Sequence, residues 1–439
     1  MTGSGTLLDP YVIWDVVDLQ NMANGAPYAP NAWYELGGNI DASATPGWNW
    51  NAGRGVFEGF VPRAFSGNFN GRYFRISDLY MDRFSLASIA VGLFGSAAAA
   101  TIQNLMLLDL DITSYAQGDT VANNTGGLVG YCGNNTIRRV ITTGTILATN
   151  NDTNWAGPHG NCNAGGMLGL IALGCTVDQC ASYVNVTALQ VNDALAYGGG
   201  FVGSNIAGAI SNSYARGSVS AMFRAGGFVG VHIGAAIDNS YSTGAVVGIG
   251  GGFNGAGGGP ITDSFWDMDT SGWLTSFGGT GRNTPAMKTQ ANYTAAGWDF
   301  ATIWDIDLTG VWNNGYPFFR WDPIPTVTVT QPNGGENWEV GSTHQILWIY
   351  TQNPGTDVVI ELLKSGVFNR TIIGSTPVGV TGSGSYSWTI AANQAPGTDH
   401  RVRITSTTGP YTDTSNNDFT ISAPVILPQV VTLPATEIR

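Results

Sequence analysis

The sequence predicts an all-β chain in two parts, a parallel β-solenoid followed by a β-sandwich. Three observations point there. Charged residues are 11% of the 439, hydrophobic residues are 43%, and Gly numbers 62. Such a chain folds around apolar cores with many tight turns, where a disordered chain would be charged and poor in apolar residues. Val, Ile, Thr and aromatic residues punctuated by Gly and Asn run throughout, which is the residue set of strands and turns. And one sentence is written twice: "GGFVGSNIAGAISNSYARGSV" from Gly199 to Val219 returns as "GGFVGVHIGAAIDNSYSTGAV" from Gly226 to Val246.

The repeat has weaker copies. The unit Gly-apolar-apolar-Gly stands at Gly92–Gly95, Gly127–Gly130, Gly166–Gly169, Gly200–Gly203, Gly227–Gly230 and, degraded, at Gly252. About ten residues after each first Gly comes a β-branched residue: Ile102, Ile137, Val177, Ile210, Ile237, Ile261. Three or four further on stand Leu105, Val140, Tyr214, Tyr241 and Phe265. Steps of 25 to 39 residues with very short strands are too small for a propeller blade and fit one rung of a solenoid. One rung cannot bury its apolar face alone, so equivalent positions stack. Ile210 over Ile237 and Tyr214 over Tyr241 are expected as inward ladders. The repeated glycines are expected at corners of positive φ or at close backbone approaches.

A second module starts near Ile324. "TVTVT", "HQILWIY", "VVIELLK", "YSWTI", "HRVRITS" and "DFTIS" alternate or run apolar, with turn signals between them, as in a sandwich. Trp348 and Trp388 are its expected core anchors. The expected divisions are 1–323 for the solenoid with its end segments, 324–423 for the sandwich and 424–439 for an extended tail.

The GLxG units with "NSY" and a following short strand resemble the GLUG repeat family of surface proteins. "GSGTLLDPYVIWDVVDLQNMANG" (Gly3–Gly25) resembles that family's entry segment and "FSGNFNGRYFRISDLYM" (Phe65–Met81) its first rung. "DSFWDMDTSGWLTSFGGTGRNTPAMKT" (Asp263–Thr289) and Gly297–Trp321 resemble its closing segment. This resemblance implies a right-handed solenoid and a surface location, and carries over no catalytic residues. "IPTVTVTQPNGGENWEVGSTHQILWIYTQN" resembles the opening of the immunoglobulin-like domain of Kre9/Knh1-type cell-wall proteins.

The charge balance excludes several classes of function. A net charge of −13 with 17 Lys+Arg gives phosphate backbones and anionic membranes nothing to bind. No run approaches the ~20 apolar residues of a membrane span, and the first residues lack the pattern of a secretory signal, so a removed signal or a lysis-released virion protein is expected. Cys132, Cys162, Cys175 and Cys180 have no zinc spacing. Either Cys175 and Cys180 close a local loop, or Cys132 and Cys162 join neighbouring loops, or all four are buried free thiols. No metal and no cofactor is expected.

Carboxylates two apart, Asp109/Asp111, Asp267/Asp269 and Asp305/Asp307, would share one face of a strand and offer the pair that glycosidic cleavage needs. Their alternation with apolar residues reads more simply as polar-out, apolar-in. His159, His232, His344 and His400 are scattered. "GIGGGFNGAGGGP" (Gly248–Pro260) has no Lys-Ser/Thr after it and is a solenoid turn, not a phosphate loop. Trp48, Trp50, Trp155 and Trp273 lie in Gly/Asn-rich loops, where aromatic faces suit binding.

The expectation is therefore a non-enzymatic, extracellular structural or adhesion protein of a virion or cell surface. Its partners would be a host-surface glycan or protein, or neighbouring subunits, including copies of itself. A tailspike-like polysaccharide-degrading enzyme and a self-assembling filament subunit are the alternatives.

Overall fold

A computed structural model describes residues 1–118, 120–151, 160–191, 195–306, 312–321, 326–351, 354–380, 382–407 and 411–424. It divides into two compact units, Met1–Trp321 and Asp322–Arg439. The expected tail lies outside the described residues beyond Pro424.

In the first unit the five GLxG words open five strands of a six-stranded parallel sheet, Phe94–Ala98, Val129–Gly133, Leu168–Ile171, Val202–Asn205 and Val229–His232, and Arg63–Phe65 is the sixth. The other rung strands are hydrogen-bonded into one 23-stranded sheet. Every rung-to-rung pairing is parallel, and the two copies of the repeated sentence lie in register: Val202 on Val229, Ile210 on Ile237, Tyr214 on Tyr241. The β-branched positions form one continuous ladder, Ile102–Ile137–Val177–Ile210–Ile237–Ile261. Its first five members are almost wholly buried, each contributing about 2 kcal/mol of apolar transfer. Phe201, Phe228 and Phe253 stack face to face, with centroids 4.8 Å apart at both steps.

The GLxG glycines are where they are because of space. None of the ten has positive φ, so the corner explanation fails for them and close approach remains. A Cβ on the first Gly of the unit would meet backbone of the next rung: at Gly200 it would lie 2.2 Å from the Gly227 carbonyl oxygen. A Cβ on the second Gly would strike backbone across the rung: at Gly203 it would lie 2.6 Å from the Ala164 nitrogen and 2.7 Å from the Gly169 oxygen.

The left-handed corner falls elsewhere, two residues after each ladder position, at Asn104, Arg139, Gln179, Asn212, Asn239 and Asp263, with φ from 45° to 56°. Asn and Asp tolerate this region best among residues with a side chain, which explains the Asn of "NSY". The Ser that follows satisfies the corner. Ser213 donates its hydroxyl to the Ser211 carbonyl at 2.8 Å and accepts from the Cys180 amide at 3.2 Å. Ser240 and Ser264 repeat both bonds one rung on.

The corner overturns one expectation. Tyr214 and Tyr241 stack, with centroids 4.9 Å apart and planes 9° apart, but not in the lumen. In a straight strand residues 210 and 214 would share a face; the left-handed residue at 212 breaks the alternation. The tyrosines belong to a second apolar cluster, on a column running Met106, Ile141, Ala181, Tyr214, Tyr241, Phe265. Leu105 and Val140, grouped with them by sequence, turn into the main core instead.

The segment after Gly279 packs over that column. Thr280–Arg282 pairs with Phe265–Asp267, two short helices follow at Thr284–Met287 and Gln290–Thr294, and Trp304–Ile306 pairs antiparallel with Pro317–Phe319. Met287, Tyr293, Trp298, Trp304, Tyr316 and Phe319 complete the cluster. Asn313 fastens it: its side-chain amide donates to the Tyr241 hydroxyl at 3.0 Å and the Pro317 carbonyl at 2.7 Å, and its backbone oxygen accepts from Arg216 at 2.9 Å.

The core's own ends are covered too. The helix Val16–Asn21, N-capped by the Asp15 carboxylate, places Leu19 in the main core. At the other end Trp266 donates its ring N–H to the Trp273 carbonyl and Trp273 donates its own to the Val246 carbonyl, at 3.0 and 3.1 Å. The glycine run Gly248–Pro260 supplies the latter part of the rung strand Val246–Gly251 and the stacked Phe253.

The second unit is a β-sandwich. One sheet has Thr326–Gln331, Thr343–Thr351 and Ser383–Thr389; the other has Asn337–Glu339, Phe419–Ser422, Gly397–Ser406, Asp357–Lys364 and Val367–Pro377, with Thr412–Thr414 on Gly397–Ser406. Trp348 and Trp388 are buried between them, joined by Trp338, which sequence reasoning missed.

Candidate binding surface

The repeated rungs offer little free chemistry. The positions at which the two copies differ are spent on structure. Asn205 bonds the Gly208 amide and carbonyl. His232 is buried with Nε2 3.2 Å from the Pro260 carbonyl, and burial holds its pKa below the ordinary value. Arg216 reaches Thr243 at 3.3 Å and lies over the Tyr316 ring at 4.8 Å.

Asp109, in a left-handed corner with φ of 55°, and Asp111 are both exposed with buried Leu110 between them, as the polar-out pattern predicts. Asp267 contradicts the polar-out expectation: it is fully buried. Its carboxylate accepts from the Thr284 hydroxyl at 2.8 Å, the Tyr316 hydroxyl at 2.7 Å and the Asp269 and Thr270 amides at 2.9 and 3.2 Å. Asp269 caps Thr284 from outside at 2.8 Å. These four donors explain why a buried carboxylate is tolerated there. Asp305 pairs with Arg320 at 3.3 Å; Asp307 lies outside the described residues.

Of the other histidines, His344 stacks on Trp338 at 4.4 Å and His400 is buried against the Gly397 carbonyl. His159 and Trp155 lie outside the described residues. The cysteines are unpaired, and neither expected partnership is made. Cys180 points at the Asp178 carbonyl, 3.4 Å away, while Cys175 faces Cys132 at 2.7 Å.

Trp273 plugs the core end, as described. Trp48 is half-buried, its amide and carbonyl bonded to Thr45 and Gly59. Trp50 is different. It stands 57% exposed beside Phe57, 41% exposed, with ring centroids 5.0 Å apart at 62°. The two face each other across a small antiparallel hairpin, Trp50–Asn51 with Val56–Phe57. Asn51 makes the turn, accepting from the Gly53 and Arg54 amides at 3.0 and 3.2 Å and donating to Glu58 at 2.6 Å.

Arg54 ties this hairpin to the solenoid. Its guanidinium bonds the Asp82 carboxylate at 2.8 Å and lies 5.5 Å over the Phe84 ring. Phe84 stacks in turn on Tyr115, 5.6 Å away at 15°. Arg83 pairs with Glu58 at 3.3 Å, and burial pushes its pKa down. The result is an exposed aromatic pair held rigidly beside a second aromatic pair, with Arg, Asp and Glu between. Such a surface packs flat apolar faces while hydrogen-bonding their edges.

The GLUG motif matches residues 223–247, which run through the second copy of the repeated sentence. Over 316 residues, 69% of this chain, it is 34% identical to Halomucin of Haloquadratum walsbyi, of which those residues cover 3%. Over 109 residues, 25% of this chain, it is 31% identical to a protein of Evansella cellulosilytica named "Putative Gly-rich membrane protein", of which they cover 10%. No solved structure matches. The chain thus spans a small part of each relative's length; it carries a GLUG motif and is similar over most of its own length to a short stretch of Halomucin.

Proposed function

We propose that this chain is a non-enzymatic module of a cell-surface protein, a rigid solenoid that displays a glycan-binding aromatic hairpin and carries an immunoglobulin-like spacer of the Kre9/Knh1 kind. The similarity to Halomucin supports a surface setting in a cellular organism and gives no support to a virion. One observation carries the binding role: Trp50 and Phe57 are exposed on a hairpin that Arg54 pins to the sheet, whereas Asn205, His232 and Arg216, at positions where the two repeats differ, are bonded within the fold. Aromatic anchors of this kind carry most of the binding energy where they occur.

The test is binding of the whole chain to a panel of immobilised polysaccharides, alongside Trp50→Ala and Phe57→Ala. Retention on at least one glycan class is expected, lost at least tenfold in either variant with unchanged melting. Retention on none, or retention indifferent to both substitutions, would refute the site. Reducing ends should not accumulate in the bound polysaccharide; their release would make the module an enzyme.

A further inference from the structure

Two of the four cysteines meet across the turn that links consecutive rungs. Cys132 lies in Val129–Gly133, in the column that continues to Ile171 on the next rung. Cys175 comes four residues after Ile171, where the chain rounds the corner into Thr176–Asp178. Both are buried and their sulfurs are 2.7 Å apart.

The corner is fixed on every side. The Asn135 side chain donates to the Cys132 sulfur at 3.1 Å and the Ala97 carbonyl at 2.8 Å, and accepts from the Ala100 amide at 2.8 Å. The Thr176 amide donates to the Asn135 carbonyl and the Ala209 amide to the Cys175 carbonyl, each at 2.8 Å. Cys162 pairs along its strand with Asn123 and Ala196, and Cys180 points at the Asp178 carbonyl. Neither approaches this pair.

We propose that Cys132 and Cys175 are the site of a rung-to-rung disulfide, formed by exchange with a small-molecule disulfide and leaving Cys162 and Cys180 as thiols. The chemistry suits the environment. As a thiolate, Cys175 accepts from the Cys132 thiol, with the Asn134 and Asn135 amides close by, which holds the Cys175 pKa below its usual value while that of Cys132 rises. A thiolate is the attacking species in exchange. Cys175 attacks one sulfur of the oxidant and expels the other half as a thiol. Cys132, losing its proton, then attacks Cys175 Sγ of the mixed disulfide and expels the second half. Two protein thiols lose two protons and two electrons, and one oxidant disulfide becomes two thiols. Because each rung holds only its neighbours, a covalent link between rungs would stop the stack from parting at that point.

The test counts thiols on the full chain. After incubation with oxidised glutathione, unfolding and alkylation, two of the four cysteines should be modified, against four without oxidant. Chemical cleavage at the methionines puts Cys132 in fragment 107–167 and Cys175 in fragment 168–222, and these two fragments should stay joined until reduction. Oxidised Cys162→Ala/Cys180→Ala protein should show no free thiol, and oxidised Cys132→Ala/Cys175→Ala protein should show two. Four free thiols in the oxidised parent, a glutathione adduct without a cross-link, or loss of thiols in the second variant would overturn the assignment.

Discussion

Replacing Gly203 by Ala should destabilise the solenoid far more than one methyl group warrants. The new Cβ would lie 2.6 Å from the Ala164 nitrogen, 2.7 Å from the Gly169 oxygen and 2.8 Å from the Asn163 carbonyl carbon. Comfortable carbon contacts are about 3.5–4.0 Å, so the shortfall is close to 1 Å on several sides. All three neighbours are backbone atoms of stacked strands, which cannot rotate away as a side chain could. Overpacking costs about 1–3 kcal/mol, and a rigid backbone wall puts this case at the upper end, near 3 kcal/mol. In a unit of this size that lowers Tm by about 5 °C. Gly38→Ala is the control, because nothing lies within 4 Å of its Cβ position; it should change stability by no more than about 1 kcal/mol, and upward if at all. Thermal unfolding followed by circular dichroism compares the two. Equal melting of Gly203→Ala and Gly38→Ala would refute the claim that the repeated glycines mark backbone contact.

Two further outcomes are expected. Burial raises the Tyr34 pKa from 10.0 to about 12 and raises those of Tyr241, Tyr293 and Tyr316. Above pH 10 the unfolded chain ionises these groups while the folded chain keeps them neutral, so their contribution is complete below pH 10 and lost as pH rises beyond it. Absorbance near 295 nm should show these tyrosines titrating together with unfolding; smooth titration near pH 10 in the folded protein would contradict their burial. Asp267→Ala removes the acceptor of two hydroxyls and two amides and should cost about 3 kcal/mol, read as a lower Tm, whereas Asp111→Ala on the exposed strand should fall within about 0.5 kcal/mol.

Much of the scaffold was legible because stacking imposes one rule on every rung. The β-branched residues spaced after each GLxG word form a single ladder, and the second module's strands follow from their alternation. What stayed hidden depends on single corners and on contacts distant in sequence. A left-handed residue at Asn212 sends Tyr214 outward, and no periodicity of two reveals that. Asp267 reads as an exposed strand carboxylate until Thr284 and Tyr316, 17 and 49 residues on, close over it. The cysteine contact spans 43 residues, a pairing that spacing alone did not suggest. Trp50 was legible as an aromatic in a loop; that Phe57 and Arg54 fix it was not, because hairpin pairing and the reach to Asp82 are three-dimensional.

Hydrogen exchange of Asn313→Ala beside the parent tests most directly whether the repeated tyrosines form an outer seat for the closing segment. Asn313 bonds Tyr241, Pro317 and Arg216 together, so its loss should speed exchange at 284–306 and 312–321 by tenfold or more. The ladder strands around Ile137, Val177 and Ile210 should stay protected. Loss of protection spread evenly along the ladder, or none at the closing segment, would contradict that architecture.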